Sequence, residues 1–290
     1  MNYSALIQNR KSFRKFTDKP VFFGDLEKIR DYYNKSARRL FPEIRTELRI
    51  FGTDARAALE GAAGYNQFLV GAPQYLVLLT DRHPHAYINA GFIMEDLILK
   101  LTEMDINSCW LTFADGADVK KALNIDTVMD VAAIAAFGYG VKTTKRPRLN
   151  IRTMSDVDIV AEHQYVEHKR SVYDLAYMEV WGNPNTYKLD DHIGFFDDVL
   201  WEALYAASLA PSYLNRQAYG FVIHPAGISL ISRPDRYHLP IDKDLSLGVV
   251  MHHFTSVAES WAGKLIWRFG QVAADLKLPE GHEVVATCAL

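Results

Sequence analysis

Two stretches carry residues whose types and spacing suit a polar, anionic ligand. The first, Arg10-Lys11-Ser12-Phe13-Arg14-Lys15, gathers cations around one hydroxyl. In an extended chain side chains alternate, so Arg10, Ser12 and Arg14 would share one side and Phe13 would take the other. Two guanidinium groups flanking a hydroxyl suit a phosphate or an electron-rich ring, each charge-assisted bond being worth about 1.5–3 kcal/mol. The second stretch is Ala210-Pro211-Ser212-Tyr213-Leu214-Asn215-Arg216-Gln217. Its loop can offer backbone N–H groups, the Ser212 oxygen and the Asn215 amide to the polar edge of a flat ligand. Taken alone, the commoner reading of the first stretch is a solvated charged face, and of the second an ordinary helix-to-strand turn.

Other chemistry is poorly served. His83 with His85, and His252 with His253, lack the i, i+4 spacing and neighbouring carboxylate of a zinc site. No Gly-x-Gly-x-x-Gly follows a strand-like run, which disfavours a Rossmann cofactor domain. Two cysteines, Cys109 and Cys288, make neither a disulfide framework nor a cysteine metal site, and Cys109 is read as core. Across 290 residues, 49% hydrophobic and 23% charged composition is that of a soluble globular protein. A net charge of −3 gives no global reason to expect nucleic acid or an anionic membrane as partner. No apolar run reaches membrane-spanning length, and early charges replace the apolar core of a signal peptide, so a cytoplasmic location is expected.

The elements that would position these residues follow from periodicity. A short helix is expected over residues 1–9, another over Gly24–Ser36, a strand over Leu48–Phe51 and a helix over Ala55–Ala63. A strand at Tyr75–Leu79 leads to the strongest helix, about Ala86 to Met104. Its stripe Met94, Leu97, Ile98, Leu101 and Met104 is read as core. Asn107–Phe113 is extended, a helix covers Asp118–Leu123, and Val131–Gly138 is an interior strand. A basic loop, Lys145-Arg146-Pro147-Arg148, comes next. Further on, Phe195, Val199, Ala203, Ala206 and Ala207 mark a helix that Pro211 stops, and Tyr219–Ile223 reads as a buried strand.

The chain also repeats itself. Gly91, Met94 and Trp110 pair with Gly248, Met251 and Trp267, each pair 157 residues apart. The second helical stripe is Leu247, Val250, Met251, Phe254, Val257 and Trp261. Lys169-Arg170-Ser171 echoes the first basic segment at nearly the same offset. Duplication is the reading, with halves at 1–155 and 156–290 and no Pro/Gly/Ser-rich linker between them.

With these residues in view, the chain resembles the FMN-dependent nitroreductases, and most closely the internally duplicated members. Arg10, Ser12 and Arg14 match that family's Arg-x-Ser-x-(Arg/Lys) opening. Pro211, Ser212, Asn215 and Gln217 match its Pro-Ser-x-x-Asn-x-Gln loop, although Ala218-Tyr219 replaces the usual Pro-Trp pair. Trp110-Leu111-Thr112 fits the strand whose backbone reaches the flavin, and Arg146 with Arg148 is similar to a late basic pair at the phosphate. The first copy lacks the loop: aligning Thr46–Ile50 with Tyr219–Ile223 sets Arg38, Arg39 and Pro42 against Pro211, Ser212 and Asn215. Since the family's flavin lies at a homodimer interface, the resemblance implies an α+β, nitroreductase-like fold, fused as an interleaved pseudo-dimer with one complete site. The other site, built from Lys169, Ser171, Arg38 and Arg39, would be empty.

The resemblance further implies FMN as cofactor and NADH or NADPH as co-substrate, with ping-pong hydride transfer through flavin N5 to a nitroaromatic, quinone or unknown acceptor. Arg10, Lys11, Ser12, Arg146 and Arg148 would serve the phosphate, and Arg14 the N1/O2 edge, as electrostatic stabiliser of the reduced ring. The Leu111–Thr112 backbone beside Trp110 would lie near N5. Pro211, Ser212, Tyr213, Leu214, Asn215 and Gln217 would line the ring edge. The flavin carries the chemistry, so no protein catalytic group and no metal is expected. Fusion already supplies the dimer partner, so a monomer is expected. The alternative is a flavin-binding or degenerate, non-catalytic protein on the same fold, serving as sensor, store or scaffold.

Overall fold

The computed structural model describes residues 1–65, 68–141, 146–153, 156–162, 169–184, 195–270 and 274–289, with backbone alone for 146–153, 156–162 and 195–197. The chain divides into two compact units, one comprising Met1 and Asn9–Glu167, the other Asn2–Gln8 and His168–Leu290. The first helix, α1 (Tyr3–Asn9), therefore lies almost wholly in the second unit.

The first unit is built on a four-stranded antiparallel sheet in the order β1-β2-β4-β3. Its strands are β1 (Thr46–Phe51), β2 (Gln74–Thr80), β3 (Asn107–Leu111) and β4 (Asp130–Gly138). Strands β2 and β4 are the centre, and their Val, Leu, Ile and Ala runs are buried throughout except at Asp130, as two-sided coverage requires. Helix α2 (Phe23–Lys35) precedes β1, α3 (Ala55–Leu59) follows it, α4 (Ala86–Glu103) links β2 to β3, and α5 (Gly116–Ala122) links β3 to β4. Helix α4 is buried almost all round, well beyond the single stripe that its periodicity indicates. Helix α3 stops at Leu59 rather than Ala63 because Glu60 turns extended and Gly61 adopts φ +83. The predicted basic loop at 145–148 is corrected: Arg146–Thr153 is strand β5, paired with β6 (Asp156–Glu162) in a hairpin. Pro147 donates no N–H, which a two-stranded ribbon tolerates at an open edge.

The second unit holds a five-stranded sheet, β10-β11-β9-β8-β7. Helix α6 (Val172–Leu175) leads into β7 (Ala176–Met178), which pairs parallel with β8 (Tyr219–His224); the other pairs are antiparallel. Helix α7 (Phe195–Ser208) precedes β8, and the 23-residue α8 (Pro240–Ala262) joins β9 (Gly227–Ser232) to β10 (Trp267–Phe269). β11 (Glu283–Cys288) closes the sheet's core.

The strand order β1-β2-β4-β3 thus recurs as β8-β9-β11-β10, with α2 and α7 ahead of the first strand and α4 and α8 in the same crossover. Gly91 and Met94 sit on α4, Gly248 and Met251 on α8, and Trp110 and Trp267 on the edge strands β3 and β10. Among the described residues no helix is long and apolar enough to cross a membrane.

Candidate functional site

The basic segment belongs to the first unit and is held extended by backbone bonds at both margins. Phe13 N–H donates to Ser108 O at 2.9 Å, and Thr17 N–H donates to Tyr139 O at 2.8 Å. Val141 N–H donates to Lys15 O at 3.0 Å, so the segment runs beside β3 and the chain leaving β4. Alternation then acts as expected. The Phe13 ring lies over Gly140, where a Cβ would come within 2.3 Å of it, while Arg10 Nη1 donates to Ser12 Oγ on the other side at 3.4 Å.

Arg10 itself is buried, with its Nε 3.5 Å from Glu95 Oε1 on α4. The same carboxylate accepts the indole N–H of Trp110 at 2.8 Å. One fully buried acid therefore ties the basic segment and β3 to the central helix. Sequence reading missed it, because a single Glu inside an apolar stripe signals nothing until its partner 85 residues away is known. Lys11 is exposed and Arg14 half-buried, and neither side chain has an ion-pair or hydrogen-bond partner among the described residues.

β3 is an edge strand, and among the described residues the Trp110 N–H on its outer side has no hydrogen-bond partner, while the Trp110 carbonyl accepts from Cys109 Sγ at 3.5 Å. Ser108 directs its polar groups outward to Phe13, and Thr112 O accepts from Gly64 N–H at 2.6 Å. By alternation the Trp110 N–H and C=O point to that same edge between these two filled rungs. Leu111 turns its own backbone inward, opposite Ile134 of β4. The backbone donors that this stretch turns to the outer edge are thus those of Trp110 and Thr112. Arg146 and Arg148 open β5, and their side chains lie outside the described residues.

The Pro-Ser loop belongs to the second unit and is strained. Ser212 is extended, a single 3-10 turn covers Tyr213–Asn215, and φ is positive at Leu214 (+49), Asn215 (+56) and Gln217 (+45). Asn tolerates that region, but Leu and Gln do so only at a cost of order 1–3 kcal/mol each, and such strain concentrates at ligand sites. Several bonds hold the shape. Ser212 Oγ accepts from Gln217 N–H at 2.9 Å, and Ser246 Oγ, in the first turns of α8, accepts from Tyr213 N–H at 3.2 Å. The Gln217 amide is spent inside the unit: its Nε2 donates to Ser208 O at 2.7 Å and to Tyr219 OH at 3.2 Å, while its Oε1 accepts from Arg170 N–H at 2.7 Å. Beside the loop, burial raises Asp235, but the Tyr237 N–H and Arg216, whose Nε is 2.7 Å away, together hold it below the usual carboxylate range.

The matching loop of the first unit runs from α2 to β1 and has the same ten-residue length. There Asn89 Oδ1 on α4 accepts from Leu40 N–H at 3.1 Å and Phe41 N–H at 3.0 Å. Leu40 lies 173 residues before Tyr213 and Asn89 lies 157 before Ser246, so one anchoring bond is made at equivalent places in both units. The first unit's loop offers less to a ligand. The Arg39 guanidinium donates to Ala37 O and Tyr33 O, and Arg38 N–H donates to Asp96. In the second unit Lys169 Nζ donates to Ala210 O at 3.0 Å, and Ser171 caps α6.

Among the described residues no group of three or more His, Cys, Asp or Glu side chains is placed to hold a metal ion. His83 and His85 instead cluster with Phe41, whose ring stacks on His85 at 5.0 Å.

The family described as "Putative TM nitroreductase" matches residues 2–178. A crystal structure described as "a putative nitroreductase" from Thermotoga maritima superposes with a TM-score of 0.57, at 17% identity, over 95% of this chain and 91% of that one. A nitroreductase family protein from Clostridium novyi NT covers 48% of this chain and 87% of its own, at 19% identity and a TM-score of 0.43. An FMN-dependent nitroreductase from Clostridium difficile R20291 covers 49% and 89%, at 20% identity and a TM-score of 0.39. No curated protein matches the chain in sequence.

Proposed function

The chain belongs to the nitroreductase family that residues 2–178 match, and from that premise we propose that it is an FMN-dependent NAD(P)H oxidoreductase that reduces a small-molecule acceptor of the nitroaromatic or quinone type. The observation that carries this reading is the anchored basic segment: Arg14 without a partner among the described residues, Ser12 on the same side of the strand, and the Trp110 N–H alongside. That donor set fits the group. A phosphate dianion and the polar edge of an isoalloxazine ring need cations, hydroxyls and a backbone N–H, and these are the groups present.

Bound FMN would supply the redox chemistry, taking a hydride equivalent from the nicotinamide and passing it to the acceptor. The protein's part is to bind and orient. Ser12, with Arg146 and Arg148, serves the phosphate end. Arg14 keeps a fixed positive charge for the ring's polar edge, where negative charge appears on reduction, so its effect falls on the reduced state more than on the oxidised one. Arg10 is assigned to shaping the segment, since its charge is already matched by Glu95. Pro211, Ser212 and Asn215 form the second unit's ligand loop, with Gln217 as its internal frame. One flavin per chain is expected, because two of the three second-site cations, Lys169 and Arg39, are tied to carbonyls of their own units, and the third, Arg38, lies over the Phe92 ring.

The test is the visible spectrum of purified protein before and after anaerobic NADH or NADPH. Yellow protein that bleaches supports the enzyme, yellow protein that does not bleach selects a flavin binder, and colourless protein that refuses added FMN refutes both. Arg14→Glu should abolish uptake while Lys169→Glu leaves it; equal effects would refute the assignment of the ligand to the first basic segment.

A further inference from the structure

We infer that Glu95 is a positioning residue for the flavin site, an inference that rests on the FMN reading above. Its carboxylate is fully buried and ties to the central helix two elements that already lie side by side through the Phe13 N–H bond to Ser108 O. Oε1 faces Arg10 Nε at 3.5 Å, which ties down the start of the basic segment. Oε2 accepts the Trp110 indole N–H at 2.8 Å, which fixes a residue whose backbone N–H points to the outer edge of β3. One rigid helix thereby braces, through two side chains, the spacing between the cations of the segment and the backbone donors of β3. A long flat ligand with a phosphate at one end requires that spacing to be fixed before it arrives.

The other unit supplies the control. The position 157 residues on from Glu95 is His252, also fully buried, and Trp267, the counterpart of Trp110, donates its indole N–H to Thr255 Oγ1 at 2.8 Å. The counterpart of Arg10 is Lys169, which donates to Ala210 O. A buried acid bridging cation and indole is therefore present in the unit that keeps the Arg-x-Ser-x-Arg segment and absent at the equivalent place in the unit that has lost it. If the acid served only to hold this type of sheet and helix together, both copies would need it.

The experiment compares the full-length parent with Glu95→Ala and Trp110→Phe. The second keeps an aromatic ring and the Arg10–Glu95 pair, so it folds even where the first does not. Three readouts are taken: FMN dissociation constant by quenching of flavin fluorescence, position of the bound-flavin absorption bands, and tryptophan emission of flavin-free protein. A hydrogen bond to a charged group supports roughly tenfold weaker FMN binding in each variant, with shifted flavin bands. Flavin-free emission should change in Glu95→Ala and should not change further when that substitution is added to Trp110→Phe. The inference is overturned if both folded variants bind FMN within about twofold of the parent with unmoved bands. A parent that takes up no FMN overturns the flavin reading itself. In that case the emission pattern reports a joint of purely structural use, and the positioning role falls with it.

Discussion

Replacing Gln217 by Ala should cost the second unit stability rather than ligand contacts. The side chain is 1% exposed and makes three hydrogen bonds within the unit. Removing it leaves Ser208 O as a buried acceptor at the end of α7, worth about 2 kcal/mol within the usual range for an orphaned polar group. Arg170 is exposed, so its N–H recovers water, and Tyr219 OH keeps Ala207 O at 3.3 Å. The void adds about 1 kcal/mol, bringing the loss to about 3 kcal/mol. That corresponds to a fall of roughly 6–12 °C in melting temperature for a unit in this size range. Circular dichroism melts of the full chain check it. Gln217→Glu gives a second, pH-dependent reading. One oxygen still accepts from Arg170 N–H, but the other confronts Ser208 O and needs a proton to donate. Its folded pKa is therefore raised above the usual value of about 4.3, so the penalty is absent near pH 4 and grows as pH rises through the folded pKa. A melting shift under about 2 °C in Gln217→Ala, together with weaker FMN binding, would refute the reasoning and return this amide to the ligand.

Gly140→Ala would drive a Cβ to within 2.3 Å of the Phe13 ring and 2.8 Å of Asn107 Oδ1. It should lower stability by about 2 kcal/mol and weaken FMN uptake by displacing the basic segment, checked by thermal shift and flavin titration. Burial pushes the Cys288 thiol up to about 12, and Cys109 is buried too, so neither should react with a disulfide reagent at pH 8 until urea is added. Burial also raises Asp242 to about 6, against the Leu239 backbone bond that lowers it. Its folded pKa lies above its unfolded one, so this group costs least below the unfolded value and most once pH has risen through about 6. Asp242→Asn should therefore melt above the parent at pH 8, with the gap closing toward acid; a gap independent of pH would contradict it.

What the sequence made legible was local. Helix α4 announces itself by its stripe, the end of α7 by Pro211, and the repeat by Gly91, Met94 and Trp110 recurring at one offset, and the same strand order in both units gives that offset a physical meaning. The extended reading of Arg10–Arg14 also holds, since alternation needs no knowledge of partners. Distant partners stayed hidden. The sequence marks Arg10 as a phosphate ligand without disclosing that Glu95 lies beside it. It marks Gln217 as part of a binding motif without disclosing that Arg170, Ser208 and Tyr219 surround it. Residues Arg146–Arg148 read as a loop because cations and proline depress strand propensity, yet pairing with β6 overrides that weak preference. Asn89 and Ser246 carried no signal of their own, because their work is to accept a single N–H from a loop far away in sequence.

The account's central claim is that the Lys11–Arg14 segment binds a flavin that accepts electrons from a nicotinamide. The most direct measurement is an anaerobic titration of FMN-loaded full-length protein with NADH and NADPH, followed by visible absorption and paired with the same titration of Arg14→Glu. The account expects loss of the flavin bands at one hydride donor per chain in the parent and no bound flavin in the variant. Parent protein that takes up no FMN, or a variant that binds and bleaches like the parent, would contradict it.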